Sequence, residues 1–392
     1  MAEQGIYTRF MDRLKESWFG LPESEYLLPL IMATYTPEEA SLLTGMPFSG
    51  KNLEELAEMK QMEPAELRKR LDALAKKGLV FRTVRGDTIR YSLNDSMFVT
   101  YRSSFWAGHT NDRSKAIALA ANQYYYHGGW DQWDNTHLKG LRSLPIQRTI
   151  EDTRQILPYE EVVKVLDQHD YFTVSICACK HRKNIDPAFS NCKYPTEVCL
   201  HFGRLGHYIV ENGLGREITR HETEEILRQC AEAGLVHGVS NMQEWPDTIC
   251  NCDPCCCLML EAFHKLKHAE GMSPSNYRVR TNRETCIGCE LCVKRCPMEA
   301  LHLEDLPETK GRITVVVETG SSNKELKNKS GKVSVANTGI CIGCGVCAYK
   351  CPTKSLVLER LEVTKHPPKD VREYTTLVMA DFAATRTQRE RG

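Results

Sequence analysis

The chain has 392 residues, and its 51 lysines and arginines are balanced by 51 aspartates and glutamates. That length accommodates two or three domains. Zero net charge excludes a chain drawn as a whole to nucleic acid or to an anionic membrane. All 18 cysteines fall between Cys177 and Cys351, which leaves either a disulfide scaffold or a metal or cluster protein. Met1 to Tyr7 has neither the basic nor the apolar region of a secretory signal, and no apolar run reaches the roughly 18 residues of a membrane span. The expected location is therefore cytoplasmic, where thiols stay reduced and dense cysteine signals metal binding or redox chemistry.

Residues 1–50 read as helical. Leu53, Leu56 and Ala57 mark a short helix over 52–60. A second helix follows, with Pro64 at its first position, Gly78 past its end, and a stripe of Leu67, Leu71 and Leu74 at helical spacing. Two strand-like segments, 79–84 and 88–93, flank Arg85-Gly86-Asp87 and predict a hairpin. This order of helix, helix and hairpin resembles a winged-helix domain, assigned to residues 1–100. Residues 63–93 carry eight basic residues against four acidic ones. Glu63 and Glu66, however, stand at the end of the second helix that would meet base edges, so DNA is not the favoured partner. Residues 101–157 form an aromatic-rich connector with Phe105, Trp106, Tyr124, Tyr125, Tyr126, Trp130 and Trp133. Few basic residues interleave with them, so they are expected to pack domains together or to line a partner surface rather than to stack bases.

Residues 158–271 form a mixed α/β, cysteine-rich middle domain. A helix is expected from Pro158 to about Gln168, then a strand over 171–176 that ends in Cys177-Ala178-Cys179. Cys192 and Cys199 are expected on loops. Helices around 203–212 and 220–233 follow, and a strand at 235–237 leads to Cys250-Asn251-Cys252-Asp253-Pro254-Cys255-Cys256-Cys257. Soft sulfur ligands converging on tight turns suit iron or zinc. Cys177, Cys179, Cys192, Cys199, Cys250, Cys252, Cys255, Cys256 and Cys257 are therefore candidates for one further iron–sulfur cluster, with structural zinc as the alternative. A thiol-lined substrate or redox site is a variant, because three consecutive cysteines do not easily face one cluster. Cys230 lies inside a helix and reads as an ordinary buried thiol. His181, His201, His207 and His237 could ligate metal but read as structural.

The strongest motifs come last. Cys286, Cys289, Cys292, Cys296 and Pro297 form one C-x₂-C-x₂-C-x₃-C-P run, and Cys341, Cys344, Cys347, Cys351 and Pro352 form another. In such runs the first three cysteines wrap one cluster and the fourth, expected at the start of a short helix, ligates the other. The assignment is Cys286, Cys289, Cys292 and Cys351 for one cluster, and Cys341, Cys344, Cys347 and Cys296 for the second. Gly288, Gly343 and Gly345 permit the sharp turns. Strands at 277–280 and 333–336 precede the runs, and 301–303 and 356–358 follow them, as two matching halves. Residues 272–362 thus resemble a bacterial-type two-cluster 4Fe–4S ferredoxin domain. The cysteine-rich segment ahead of it resembles segments in iron–sulfur proteins of anaerobic bacteria and archaea. A β-like stretch at 309–319 and a polar one at 320–331 fill a long insertion between the runs, expected as a partner-contacting hairpin or a surface loop. Residues 363–392 are expected as a polar tail.

The resulting fold class is α+β and multidomain. The resemblance implies an iron–sulfur electron-transfer protein, or an electron-transfer component of an oxidoreductase complex, with two 4Fe–4S clusters and a redox partner protein. Whether the chain has its own enzymatic activity, reducing a small substrate or thiol at the central cysteines, is open at this stage. The alternative function is a redox-sensing winged-helix transcriptional regulator. No G-x-G-x-x-G stands at a strand–helix junction to supply a nucleotide site.

Overall fold

The computed structural model describes residues 2–17, 21–94, 97–129, 138–189, 192–268, 271–319 and 322–391. Trp130, Trp133 and Gly320 lie outside them. The chain divides into two compact units, one of Met1–Leu138, Asp170–Thr219 and Val371–Gly392, the other of Lys139–His169 and Arg220–Asp370. Among the described residues no helix is long and apolar enough to cross a membrane.

The first unit begins with helices Ala2–Lys15, Leu27–Thr34 and Pro37–Leu43. A two-residue strand, Lys51–Asn52, leads to helices Leu53–Lys60 and Pro64–Lys76. Asn52 and Glu55 form a capping box that fixes the start of the first of these. Strands Val80–Arg85 and Thr88–Leu93 pair antiparallel, and Lys51–Asn52 adds to the second strand. Leu67, Leu71 and Leu74 are buried, as the helical spacing requires. The hairpin does not stand free. Tyr208 Oη donates to the Val80 carbonyl at 3.1 Å, Phe81 packs on the Tyr208 ring, and Arg82 pairs with Glu211 at 2.8 Å. Both partners lie on the helix Gly203–Glu211.

The same unit holds strand Phe172–Ile176 between Glu197–Phe202 and Arg216–Ile218, all antiparallel. Helix Ala178–Ile185 follows the central strand and buries Lys180, Arg182 and Lys183. Aromatic rings, three of them from the connector, receive two of these cations. Arg182 lies over Tyr101 and Tyr125, and Lys183 over Tyr126 and Phe189. Such contacts offset the cost of removing a cation from water. Trp106 packs against His201. The polar tail expected after Lys365 is instead a helix from residue 371 on, Val371–Arg391, which buries Tyr374 and Val378 one turn apart.

The second unit carries an antiparallel sheet of Leu141–Leu144, Val236–Ser240 and Thr248–Cys252. The helix expected from Pro158 is split into a 3₁₀ turn, Pro158–Glu160, and a short helix, Val162–Leu166. Two further strand pairs follow. Tyr277–Thr281 lies against Leu356–Arg360, and Leu301–Asp305 against Lys332–Ala336. Each pair joins one half of the cysteine-run repeat to the other. The insertion is an antiparallel hairpin, Thr314–Thr319 with Ser322–Lys327, so the stretch read as polar is a strand. Its polar character marks an edge exposed on both faces.

Leu71 is fully buried. Leu71→Ala is expected to destabilise the first unit by about 2–5 kcal/mol, read as a lower urea midpoint in circular dichroism.

Candidate metal centre

The two cysteine runs fold as near copies, 55 positions apart. Gly288 and Gly343 take left-handed φ values of 60° and 67°, Glu290 and Gly345 of 65° and 80°, and Glu299 and Lys354 of 53° and 52°. These turns aim three sulfurs of each run inward. A Cβ on Gly343 would strike the Tyr277 carbonyl and the Ser275 hydroxyl. One on Gly288 would strike the Lys332 carbonyl and Ser330. The glycines therefore serve both the turn and the close approach of the neighbouring strand.

The runs exchange their last cysteine. A cavity is lined by Cys286, Cys289, Cys292 and Cys351 together. Burial pushes the Cys292 thiol up, and Cys286, Cys289 and Cys351 push it further. The Cys347 thiol is pushed well up by burial and then by Cys344, Cys296 and Cys341. Cys296 is raised by burial and by Cys341, while the N–H groups of Met298, Glu299 and Ala300 act in the opposite sense. The Ala300 N–H reaches its sulfur at 3.2 Å, and the Ser334 N–H reaches Cys286 at 3.4 Å. Buried thiols set side by side resist ionisation unless a cation takes up the charge. A four-sulfur set with amide donors around it is what a metal–sulfur cluster requires.

The fourth cysteine of the first run stands at the end of helix Leu291–Arg295, not at its start. Pro297 follows Cys296 and disfavours helical backbone there. The two sets also differ in exposure. Cys289 is exposed, whereas Cys341, Cys344 and Cys347 are buried. The second set is covered by the segment 146–149. The Ile146 N–H donates to the Cys344 carbonyl at 3.1 Å, and Arg148 lies 3.2 Å over the Tyr349 ring. Arg295 donates to the Ala231 and Glu232 carbonyls at the end of helix Arg220–Ala233.

The nine central cysteines fall into separate groups, and none of the chain's cysteines is in a disulfide. In the first unit Cys177 caps the start of helix Ala178–Ile185, with Cys179 in its first turn. Cys199 is on strand Glu197–Phe202, not on a loop, in register with Ser175. The Cys177 thiol is pushed well up, first by its hydrogen bond to Cys179 and then by burial; Cys199 adds to this and Lys180 opposes it. Burial pushes the nearby Tyr101 phenol well up, and Arg182 opposes this. Cys192 is half-buried, and its N–H donates to Asn184 Oδ1 at 2.8 Å. In the second unit Cys250 and Cys252 are on strand Thr248–Cys252, and Cys257 caps helix Leu258–His264. The Cys252 thiol is pushed well up by hydrogen bonds to Cys250 and then Cys257. Cys255 and Cys256 lie beside Asp253, a residue the cysteine spacing did not single out. Its place before Pro254 was the available signal, since an aspartate there favours a turn that caps the next amides. Cys230 is fully buried in its helix.

The histidines bond within the protein. His237 Nδ1 meets Asn251 Oδ1 at 2.7 Å, His201 Nε2 meets Ser175 Oγ at 3.1 Å, and His181 Nε2 meets the His109 carbonyl at 2.9 Å. His207 stacks on Tyr171. Burial holds the His237 imidazole down at about 4, hence neutral.

The 4Fe–4S dicluster domain family matches residues 285–355. A putative ferredoxin-3 of Sinorhizobium fredii is 37% identical over 81 residues, covering 19% of this chain and 71% of that protein. Ferredoxin-3 of Rhodobacter capsulatus is 36% identical over 81 residues, 20% of this chain and 76% of that protein. The chain belongs to the 4Fe–4S dicluster ferredoxin family. Its iron–sulfur domain supports an electron-transfer role. Subunit I of the NAD(P)H-quinone oxidoreductase of Gloeobacter violaceus is 34% identical over 79 residues, which are 20% of this chain but only 31% of that subunit. No solved structure gives a significant match.

Gly343→Ala is expected to lose about half of the ferredoxin-domain iron, because the added methyl group would collide with backbone. Iron analysis of anaerobically purified protein, with electron paramagnetic resonance after reduction, checks this.

Proposed function

We propose that the chain is the iron–sulfur electron-transfer subunit of an oxidoreductase. It would carry electrons through two 4Fe–4S clusters and one further central cluster. The observation that carries the proposal is the crossed grouping of the eight thiols of the two runs. Cys286, Cys289, Cys292 and Cys351 would hold the first cluster, and Cys341, Cys344, Cys347 and Cys296 the second. The clusters supply one-electron storage; the protein's part is to hold the thiolates, donate amides to sulfur and limit access of water. The likeness to subunit I of a quinone oxidoreductase supports a place within a larger assembly.

For the central cluster, the support is convergence. Cys177, Cys179 and Cys199 form one thiol set and Cys250, Cys252 and Cys257 another. Each offers three sulfurs of the kind iron prefers. Full-length protein purified without oxygen is expected to hold about twelve iron atoms, about eight of them in the ferredoxin domain. Cys252→Ala should remove about four and leave the ferredoxin signals intact. Eight iron atoms in the parent protein would refute the central cluster, and bound zinc would replace it.

Residues 1–100 are assigned here as a winged helix that docks partners. The order of helices and strands supports this. On its second helix Arg70 is paired with Glu66 at 2.7 Å and Arg68 with Asp72 at 3.7 Å. Those pairs favour protein docking over a DNA-reading regulator. The insertion hairpin is assigned to redox-partner docking. Residues 310–332 carry six basic residues against two acidic ones. Lys310, Arg312, Lys324 and Lys329 are exposed there. The hairpin base is tied to the exposed first run, since buried Asn328 donates to the Cys286 carbonyl at 3.1 Å. An acidic carrier protein fits this charge. Arg312→Glu with Lys324→Glu should raise KM for a reduced acidic carrier about tenfold and flatten its salt dependence, with the iron content unchanged. Unchanged KM would remove the hairpin from the interface.

A further inference from the structure

Cys255 and Cys256 are adjacent in sequence yet unlike in setting. Cys255 is exposed and Cys256 is buried. Their sulfurs are 3.6 Å apart. The Cys255 thiol donates to Asp253 Oδ1 at 2.7 Å. The same oxygen accepts the Cys255 and Cys256 amides at 3.0 and 2.8 Å, so both residues are held on one carboxylate. An open cleft of ≈ 750 Å³ starts at Cys255. Among the described residues its lining also includes His264, Lys265, Lys267, His268, Cys296 and Glu299, and Lys265 is paired with buried Glu261. Cys296 is the cysteine that the ferredoxin runs exchange. The cleft thus brings together an exposed thiol, the exposed Lys267 ammonium and a cysteine of the ferredoxin runs.

We infer that Cys255 and Cys256 form a redox dithiol that reduces anionic, low-molecular-weight disulfides bound in this cleft. The exposed thiol attacks and the buried one resolves. The Cys255 sulfur attacks one sulfur of the substrate, forming a mixed disulfide, and the first product leaves as a thiol carrying the Cys255 proton. Cys256 then attacks the Cys255 sulfur, releasing the second product and closing a disulfide between the two cysteines. Two electrons and two protons restore the dithiol. The net change is one disulfide plus two electrons and two protons to two thiols. The electrons come singly from a low-potential donor through the iron–sulfur domain.

The adjacency explains why this pair suits turnover rather than structure. Consecutive Cα atoms are about 3.8 Å apart, short of the roughly 4.4–6.8 Å span of unstrained disulfides. A strained disulfide is more readily reduced than a structural one. Lys267 is exposed at the cleft wall, with its backbone in the left-handed region at φ 62° and its ammonium bonded to the His264 carbonyl at 2.8 Å. Lysines and histidines there would favour a carboxylate-bearing disulfide over a neutral one.

The inference rests on the proposed relay only for its source of electrons, so its test begins without them. Full-length protein, purified and kept anaerobic, is mixed with 5,5′-dithiobis(2-nitrobenzoate), an anionic disulfide. A fast release of two thionitrobenzoates per chain is expected, with an internal Cys255–Cys256 disulfide in the peptide map and no loss of iron. Cys255→Ser should slow that phase at least about tenfold, and Cys256→Ser should trap a mixed disulfide on Cys255. Lys267→Gln should slow the anionic probe and leave 4,4′-dithiodipyridine, a neutral one, unaffected. If Cys255 and Cys256 react only after iron is removed, they are metal ligands and the inference fails, whatever the electron-transfer activity. If they react as expected but dithionite-reduced protein does not turn over, the dithiol stands and the relay fails instead.

Discussion

The structure is governed by a constraint on sulfur charge. A buried thiolate is costly unless a cation lies against it, and each run of three closely spaced cysteines leaves a four-sulfur set one ligand short. The chain meets this by exchange. Cys351 completes the set begun by Cys286, and Cys296 completes the set begun by Cys341. The strand pairs follow from the same need, since Tyr277–Thr281 pairs with Leu356–Arg360 and Leu301–Asp305 with Lys332–Ala336. The left-handed positions shared by the two halves are where the chain turns tightly enough to bring the sulfurs together.

The two halves are similar in backbone but not in surroundings, and the difference gives the domain a direction. Around the second set, Ile146 and Arg148 cover the loop, and Arg295 is bound to the carbonyl end of helix Arg220–Ala233. A guanidinium there is favoured by the helix dipole as well as by its hydrogen bonds. Around the first set Cys289 reaches solvent, and Asn328 connects the loop to a basic hairpin. One set is therefore open to solvent on one side, and the other is enclosed by the protein's own segments.

Legibility in the sequence followed local chemistry. The cysteine runs carried their own turns, and the leucine stripe of Pro64–Lys76 carried its own period, so both were visible. Cys296 was misplaced at a helix start because the third cysteine, not the fourth, opens the helical turn, and Pro297 then ends it. Cys199 was taken for a loop residue, although Val198, Leu200 and Phe202 alternate around it and belong to a strand. The helix from Val371 does not stand out from a polar tail, because among its described side chains only Tyr374 and Val378 are buried, a narrow stripe. The aromatic connector had no readable partner, since its rings receive Arg182 and Lys183 from a helix more than fifty residues away.

That last pairing separates the two central thiol sets on electrostatic grounds. Cys177 sits at a helix start, where backbone N–H groups favour negative charge, and Lys180 acts on it directly. Arg182 and Lys183 are buried on the same helix, held by Tyr101, Tyr125, Tyr126 and Phe189. A folded protein retains such buried cations when anionic charge is to be held nearby. Cys252 is raised by its hydrogen bonds to Cys250 and Cys257 and by burial, as Cys177 is by Cys179 and burial. Both sets therefore resist ionisation, and the first differs in having Lys180 act against that resistance on Cys177.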